Sequence, residues 1–240
     1  MKINSESIIG EIVAENYKAA SVFKSHNIDF CCNGNRSIAT VSEEKNLDEN
    51  ILLNQLSEVL ENKGDGNIDF RSWPIDLLAD YIQKQHHRYI RTKIPEITPY
   101  LEKISAVHGS AHPELYEIEA LFAQSANDLL LHLEKEENIL FPYIREMVEK
   151  KTNGEKLTKA SFGSIANFID ELHVEHDNEG VRFRKISELS NGYETPADGC
   201  NTYHVTLRFL KEFEDDLHRH IHLENNILFP AAIEFEKENL

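Results

Sequence analysis

HLEKEENILFP, residues 132 to 142, carries one histidine and three glutamates ahead of an apolar run and a proline. HIHLENNILFP, residues 220 to 230, repeats it near the end of the chain. Aligning ENILFP on NNILFP sets an offset of 88 residues, which lays His132 on His220 and Glu136 on Glu224. Glu134 falls on His222 and Glu137 on Asn225, so the repeat selects Glu136 from the three glutamates. Both copies read His-x-x-x-Glu-x-x-Ile-Leu-Phe-Pro. Nearly the same offset pairs His87 with His176, 89 residues apart.

In a helix, residues i and i+4 share a face one turn apart. Leu210, Phe213, Leu217, His220, Glu224, Ile227 and Ala231 then form one stripe, and Leu129, His132, Glu136, Leu140 and Tyr143 form its counterpart. The histidines and glutamates lie inside apolar stripes and are expected to face a core. An unpaired buried carboxylate costs several kcal/mol or neutralises itself by a pKa shift. Two carboxylates among four imidazoles call for a counter-charge, and a pair of metal ions supplies it. Inward Glu and His on bundle helices build di-iron and di-manganese sites, and mixed imidazole and carboxylate ligation suits iron or manganese better than a thiolate-rich zinc site. The order His-x-x-x-Glu differs from the Glu-x-x-His of ferritin-like bundles. Glu134 and Glu137 are expected to be surface charge.

From Trp73 onward four long helical patterns run over about 75–104, 112–151, 158–190 and 200–238, separated by the turn-type segments HGSAHP, KKTNGEK and NGYETPADGC. No stretch keeps a period of two, so the fold class is all-α. Four helices with short connections give an antiparallel four-helix bundle over residues 75–240. Pro142 and Pro230 fall inside helical patterns and are expected to kink them. Residues 1–65 read as a small helical N-terminal domain. Ile8 to Tyr17 and Leu47 to Val59 show helical spacing, with a loop around NIDFCCNGNRS between them. NKGDGNIDF, residues 62–70, has the composition of a linker. A unit this small has a marginal core and is expected to dock on the rest of the chain or on a partner.

The chain has 240 residues, 40% hydrophobic and 28% charged, a balance that buries a core. No apolar run reaches the roughly 18 residues of a membrane span, and MKINSESIIGEIV does not have the form of a signal peptide. The net charge of −17, without basic blocks, excludes nucleic acid and anionic membrane as partners.

The 12 histidines are the compositional excess. His86, His173, His218 and His222 lie beside ligand candidates and are expected to face solvent or a neighbouring helix, while His108 and His112 belong to the first bundle loop. Glu175, next to His176, is placed either to orient a ligand or in solvent. Three cysteines, an odd and small number, fit a reducing compartment. Cys31 and Cys32 are adjacent, too close in the chain for a relaxed mutual disulfide. They are open to use as reactive thiols, as a metal or iron–sulfur contact, or as a bridge to another chain. Cys200 at a helix start is read as structural or incidental.

These residues resemble the iron–sulfur cluster repair di-iron proteins, the RIC or ScdA/YtfE-like family, over nearly the whole chain. NIDFCCNGNRS is similar to the Cys-Cys loop of the family's ScdA-type N-terminal domain. Asn33 stands where the family often has a glycine, and a left-handed backbone there is expected to suit asparagine. The remainder is similar to a hemerythrin-like bundle. The resemblance implies a non-heme centre of two iron ions with an oxo bridge. His87, His132, His176 and His220 would cap the irons and Glu136 and Glu224 would bridge them. It implies a cytoplasmic protein that restores clusters damaged by nitrosative or oxidative stress, by iron supply or by nitric oxide handling. Its partners would be damaged iron–sulfur proteins and small ligands such as nitric oxide or dioxygen, with homodimers as a tendency. The alternatives are a hemerythrin-type carrier or sensor of oxygen or nitric oxide, and a di-iron nitric oxide or peroxide reductase.

Overall fold

The computed structural model describes residues 3–61 and 68–240; of the linker expected at 62–70, residues 62–67 lie outside the described residues. Among the described residues the regular structure is helical, apart from two isolated bridges, Ile8 with Ser37 and Ala160 with Gly163. The N-terminal domain contains α1 (Ile9–Glu15), α2 (Ala19–Ser25), α3 (Ile38–Lys45) and α4 (Glu49–Glu61). Periodicity marks α1 and α4 and overlooks α2 and α3. α3 instead carries end signals. The Ser37 hydroxyl accepts from the Thr40 N–H at 3.1 Å, and Asn46 ends the helix in the left-handed region at φ 52°.

Four rods form the bundle. The first joins α5 (Ile75–Ile82) to α6 (Arg88–His108) through a π turn at Gln83–His87. The second joins α7 (Glu114–Lys135) to α8 (Phe141–Thr152) through a π turn at Glu136–Leu140. The third is α9 (Ile165–Leu189), which begins later than the pattern from 158 suggests. The fourth joins α10 (Asn201–Leu223) to α11 (Phe229–Asn239) through a π turn at Glu224–Leu228. Each rod packs on the next, and α10 closes the ring on α6. The expected proline kinks take this π-turn form. Each proline is the second residue after its turn, where the Phe141 and Phe229 N–H groups reach back five residues to the Glu136 and Glu224 carbonyls. The added residue absorbs the hydrogen bond that proline cannot make. It also shifts the stripe. Ala232 is fully buried where i+4 spacing pointed to the half-buried Ala231.

The core falls into two apolar regions. One holds Ile97, Phe122, Phe183 and Phe213 and continues into the N-terminal domain through Phe23, Phe30 and Ile38. The other holds Ile82, Phe141, Ile144, Leu172 and Phe229. The polar layer of histidines and glutamates separates them. The N-terminal domain docks on the fourth rod, with α1 against α10 and the Glu224–Leu228 turn. Gly10 and Gly34 make this approach possible. A Cβ on either would lie 2.6 or 2.8 Å from the Asn226 amide oxygen. Asn33 and Gly34 both have ordinary negative φ, contrary to the expected left-handed backbone; the Asn33 amide donates to Asp29 at 2.9 Å, and Gly34 is required by packing.

Candidate metal centre

All six residues singled out by the repeat meet in the polar layer. His87, His132, Glu136, His176, His220 and Glu224 are each at most 3% exposed. They form two groups of four, His87–Glu136–His220–Glu224 and His132–Glu136–His176–Glu224, with donor atoms in each group within 4.8 Å of one another. Glu136 and Glu224 belong to both groups. The π turns open on these two glutamates, so the widened backbone sits beside the shared carboxylates.

Every histidine presents Nε2 inward. His87 Nε2 lies 3.3 Å from Glu136 and 3.8 Å from Glu224, and His132 Nε2 is 3.4 Å from Glu136. His176 Nε2 is 3.3 Å from Glu224 and 3.0 Å from His132 Nε2, while His220 Nε2 is 2.9 Å from Glu224. Several of these contacts are not aligned as hydrogen bonds. Both Glu136 oxygens, Glu224 Oε2 and His87 Nε2 are buried without a hydrogen-bond partner. Buried polar atoms are rarely left so. Nitrogen and oxygen donors bind a transition ion at about 2.0–2.2 Å, so two donors on one ion stand at most about 4.4 Å apart, and the inward separations of 2.9 to 3.8 Å fall inside that reach. The donor set and its spacing fit two metal ions sharing the glutamates.

Electrostatics supports the same fit. Burial pushes His87 down, but the close Glu136 carboxylate, the Glu137 hydrogen bond and the Glu224 carboxylate outweigh it and raise His87 to about 11. His176 is likewise raised to about 9, burial being overcome by Glu224 and Glu136. Burial pushes Glu224 up, yet His220, His176 and His87 hold it well below the usual carboxylate range. Raised imidazoles thus face the depressed Glu224 carboxylate, and a bound cation would take the place of their protons.

The outer nitrogens are held as well. A carboxylate accepts only, so His132 Nδ1–H donates to Glu175 at 2.8 Å, and Glu175 also pairs with Lys135. His87 Nδ1–H donates to Glu137 at 2.9 Å, and Arg91 donates to the other Glu137 oxygen at 3.1 Å. His176 Nδ1–H donates to Asn225 at 2.7 Å. Such contacts fix the tautomer that leaves Nε2 free to bind metal. Glu137 is thus a ligand-orienting residue, correcting the surface role expected for it, whereas Glu134 is exposed. The repeat contained this signal, since its offset lays Glu137 on Asn225. A cleft of about 510 Å³ between the second and third rods reaches His132 and His176 and is lined by Lys135, Glu175 and Glu179.

The remaining histidines do not join the centre. His86 Nδ1–H donates to Asp216 on the fourth rod at 3.0 Å. His218 and His222 pack against Phe30, and His173 stacks on Phe229. At the far end of the bundle His108 sits 3.2 Å from the exposed Cys200 thiol, and His112 pairs with Asp198 at 3.0 Å.

Cys31 and Cys32 are free thiols 3.8 Å apart, outside the centre but against it. Cys32 Sγ lies 3.5 Å from the His176 carbonyl. Asp29 staples the loop. It accepts from the Cys31 and Cys32 N–H groups at 3.2 and 3.0 Å, and from Asn33 and Arg184 at 2.9 Å each. Those contacts overcome burial and hold Asp29 at about 2. The Cys32 neighbour and burial push the Cys31 thiol up.

Residues 78–232 match the hemerythrin HHE cation binding domain, and residues 5–60 match a domain of unknown function, DUF542, called ScdA_N. The chain is 31% identical over 232 residues to the iron-sulfur cluster repair protein ScdA of Staphylococcus epidermidis, covering 95% of this chain and 98% of that one. It is 32% identical to the ScdA of Staphylococcus haemolyticus, with 95% and 98% covered. It is 30% identical to the iron-sulfur cluster repair protein YtfE of Musicola paradisiaca, with 96% and 98% covered.

Proposed function

Because the chain belongs to the iron–sulfur cluster repair proteins of the ScdA and YtfE type, we propose that it restores iron–sulfur clusters damaged by nitrosative or oxidative stress, through an oxo-bridged pair of iron ions. Glu136 and Glu224 would be shared by the pair, His87 and His220 would hold one iron, and His132 and His176 would hold the other. The observation that carries this reading is the sharing of both glutamates between the two four-residue groups.

Bound iron supplies a redox-active centre with coordination positions left for a small ligand such as nitric oxide or dioxygen. The chain's own residues set its conditions. Glu137, Glu175 and Asn225 keep the Nδ1 protons of three histidines in place and aim Nε2 inward. The apolar regions on either side exclude water from the layer. The cleft at His132 and His176 gives a small molecule or a departing ion a route. The partners are damaged iron–sulfur proteins, the compartment is the cytoplasm, and the chain associates as a homodimer. Among the described residues no helix is long and apolar enough to cross a membrane.

Two measurements test the proposal. Purified protein should hold about two irons per chain, with oxo-bridged ferric absorption; a single zinc without iron refutes the centre. The iron-loaded protein should restore a nitric oxide-inactivated iron–sulfur enzyme, and Glu136→Ala protein should not. Equal restoration by both refutes the role of the centre in repair.

A further inference from the structure

We infer that Asn225 makes the metal position of His132 and His176 depend on the docking of the N-terminal domain. The inference rests on the di-iron reading above and adds a control to one half of that centre.

The two halves are held by different chemistry at equivalent points of the repeat. Glu137 accepts from His87 and is fixed by Arg91, both within the bundle. Asn225 accepts from His176 with Oδ1 and donates with Nδ2 to the Cys31 carbonyl at 3.1 Å. Only an amide can do both, because a carboxylate has no proton to give. One side chain thus bridges a ligand imidazole and the backbone of the cysteine loop. Two further contacts reinforce the bridge. Asn226 donates to the Phe30 and Cys31 carbonyls at 3.3 Å each, in the space left by Gly10 and Gly34. Cys32 Sγ–H donates to the His176 carbonyl. The docked loop grips His176 at ring and backbone, and among the described residues no element of the N-terminal domain plays that part for His87.

Coupling of this kind is reciprocal. Docking tightens the His132–His176 position, and metal there tightens the dock. Release of the loop, as on engagement of another protein by the cysteine pair, loosens one iron of the two and leaves the other in place.

The test loads the full chain with ferrous iron under anaerobic conditions and follows its transfer to a chelator. Asn225→Ala removes the bridge, and Gly34→Val wedges the loop away from Asn226. Each should release one iron about 10-fold faster or more, the range for loss of a ligand-orienting contact, and keep the second at the wild-type rate. Glu137→Ala serves as the control for the other half. Asn225→Asp keeps the acceptor for His176 but loses the donor to the Cys31 carbonyl, so it too should release that iron faster than wild type. Conversely, iron should slow alkylation of Cys31 and Cys32 in wild-type protein and fail to do so in Asn225→Ala. Circular dichroism establishes that each variant is folded, and Asn225→Asp with the alkylation comparison carries the test if Gly34→Val does not fold. Wild-type release from folded Asn225→Ala, or alkylation indifferent to iron in the wild type, overturns the coupling alone. A wild-type chain that takes up no iron overturns the di-iron reading together with it.

Discussion

His86 and Glu175 stand at equivalent places, one residue before His87 and His176, yet only Glu175 supports a ligand of the centre. Its carboxylate accepts from His132 Nδ1 at 2.8 Å. His86 instead lies parallel to His220, with ring centroids 5.8 Å apart and planes at 3°, and turns its own Nδ1 to Asp216. His220 Nδ1 has no hydrogen-bond partner among the described residues. The repeat built two halves, and this substitution made them unequal.

Removing the Glu175 carboxylate should therefore be felt at His132 alone. Glu175→Ala is expected to weaken iron binding about 10- to 100-fold, as loss of a ligand-orienting partner does, with little change in melting temperature because Glu175 is partly exposed. Equilibrium titration with ferrous iron checks this, and an unchanged affinity would show that the contact does not position the ring.

The glutamates of the repeat should rank by their places. Glu136 serves both four-residue groups, so Glu136→Ala should lose both irons. Glu137→Ala, which frees only the far side of His87, should weaken binding without abolishing it. Glu134→Ala should keep two irons per chain, since its side chain is exposed. Iron content after gel filtration gives the order.

Cys200 should be the reactive thiol at neutral pH, not Cys31. The Tyr203 backbone N–H and then the His108 ring lower its thiol to about 7, whereas Cys31 is pushed up and buried. Alkylation of Cys200 should be half-maximal in rate near pH 7, and His108→Ala should move that midpoint upward. Mass-spectrometric mapping of the modified cysteine across pH reads both.

Glu214 should make the fold less stable as pH rises. Burial is the largest influence on it and, against the pull of Lys24, raises it from 4.5 to about 7. Between those values the folded chain holds more protons than the unfolded one, so stability falls with rising pH across the window. Glu214→Gln should remove that slope and stabilise the protein at pH 8 by about 1–3 kcal/mol. Thermal unfolding of the metal-free protein at pH 5 and pH 8 measures it.

The sequence by itself determined the all-α bundle and the six inward residues. Both follow from local periodicity, and His132–Glu136 against His220–Glu224 needs only i+4 spacing and a fixed offset to be legible. α2 escaped, α3 escaped because Ile38 and Val41 are its only large apolar residues, and the late start of α9 at Ile165 escaped because helical spacing ran ahead of its Ser164 cap. The tertiary structure alone decided what surrounds the ligands. Whether Glu137 is surface charge or a partner of His87, whether Glu175 meets His132 or water, and whether Asn225 reaches Cys31 are contacts between residues 43 to 194 positions apart. Each depends on the rotation of one rod against another, set by the packed core and the π turns. No pattern within a single helix contains that angle.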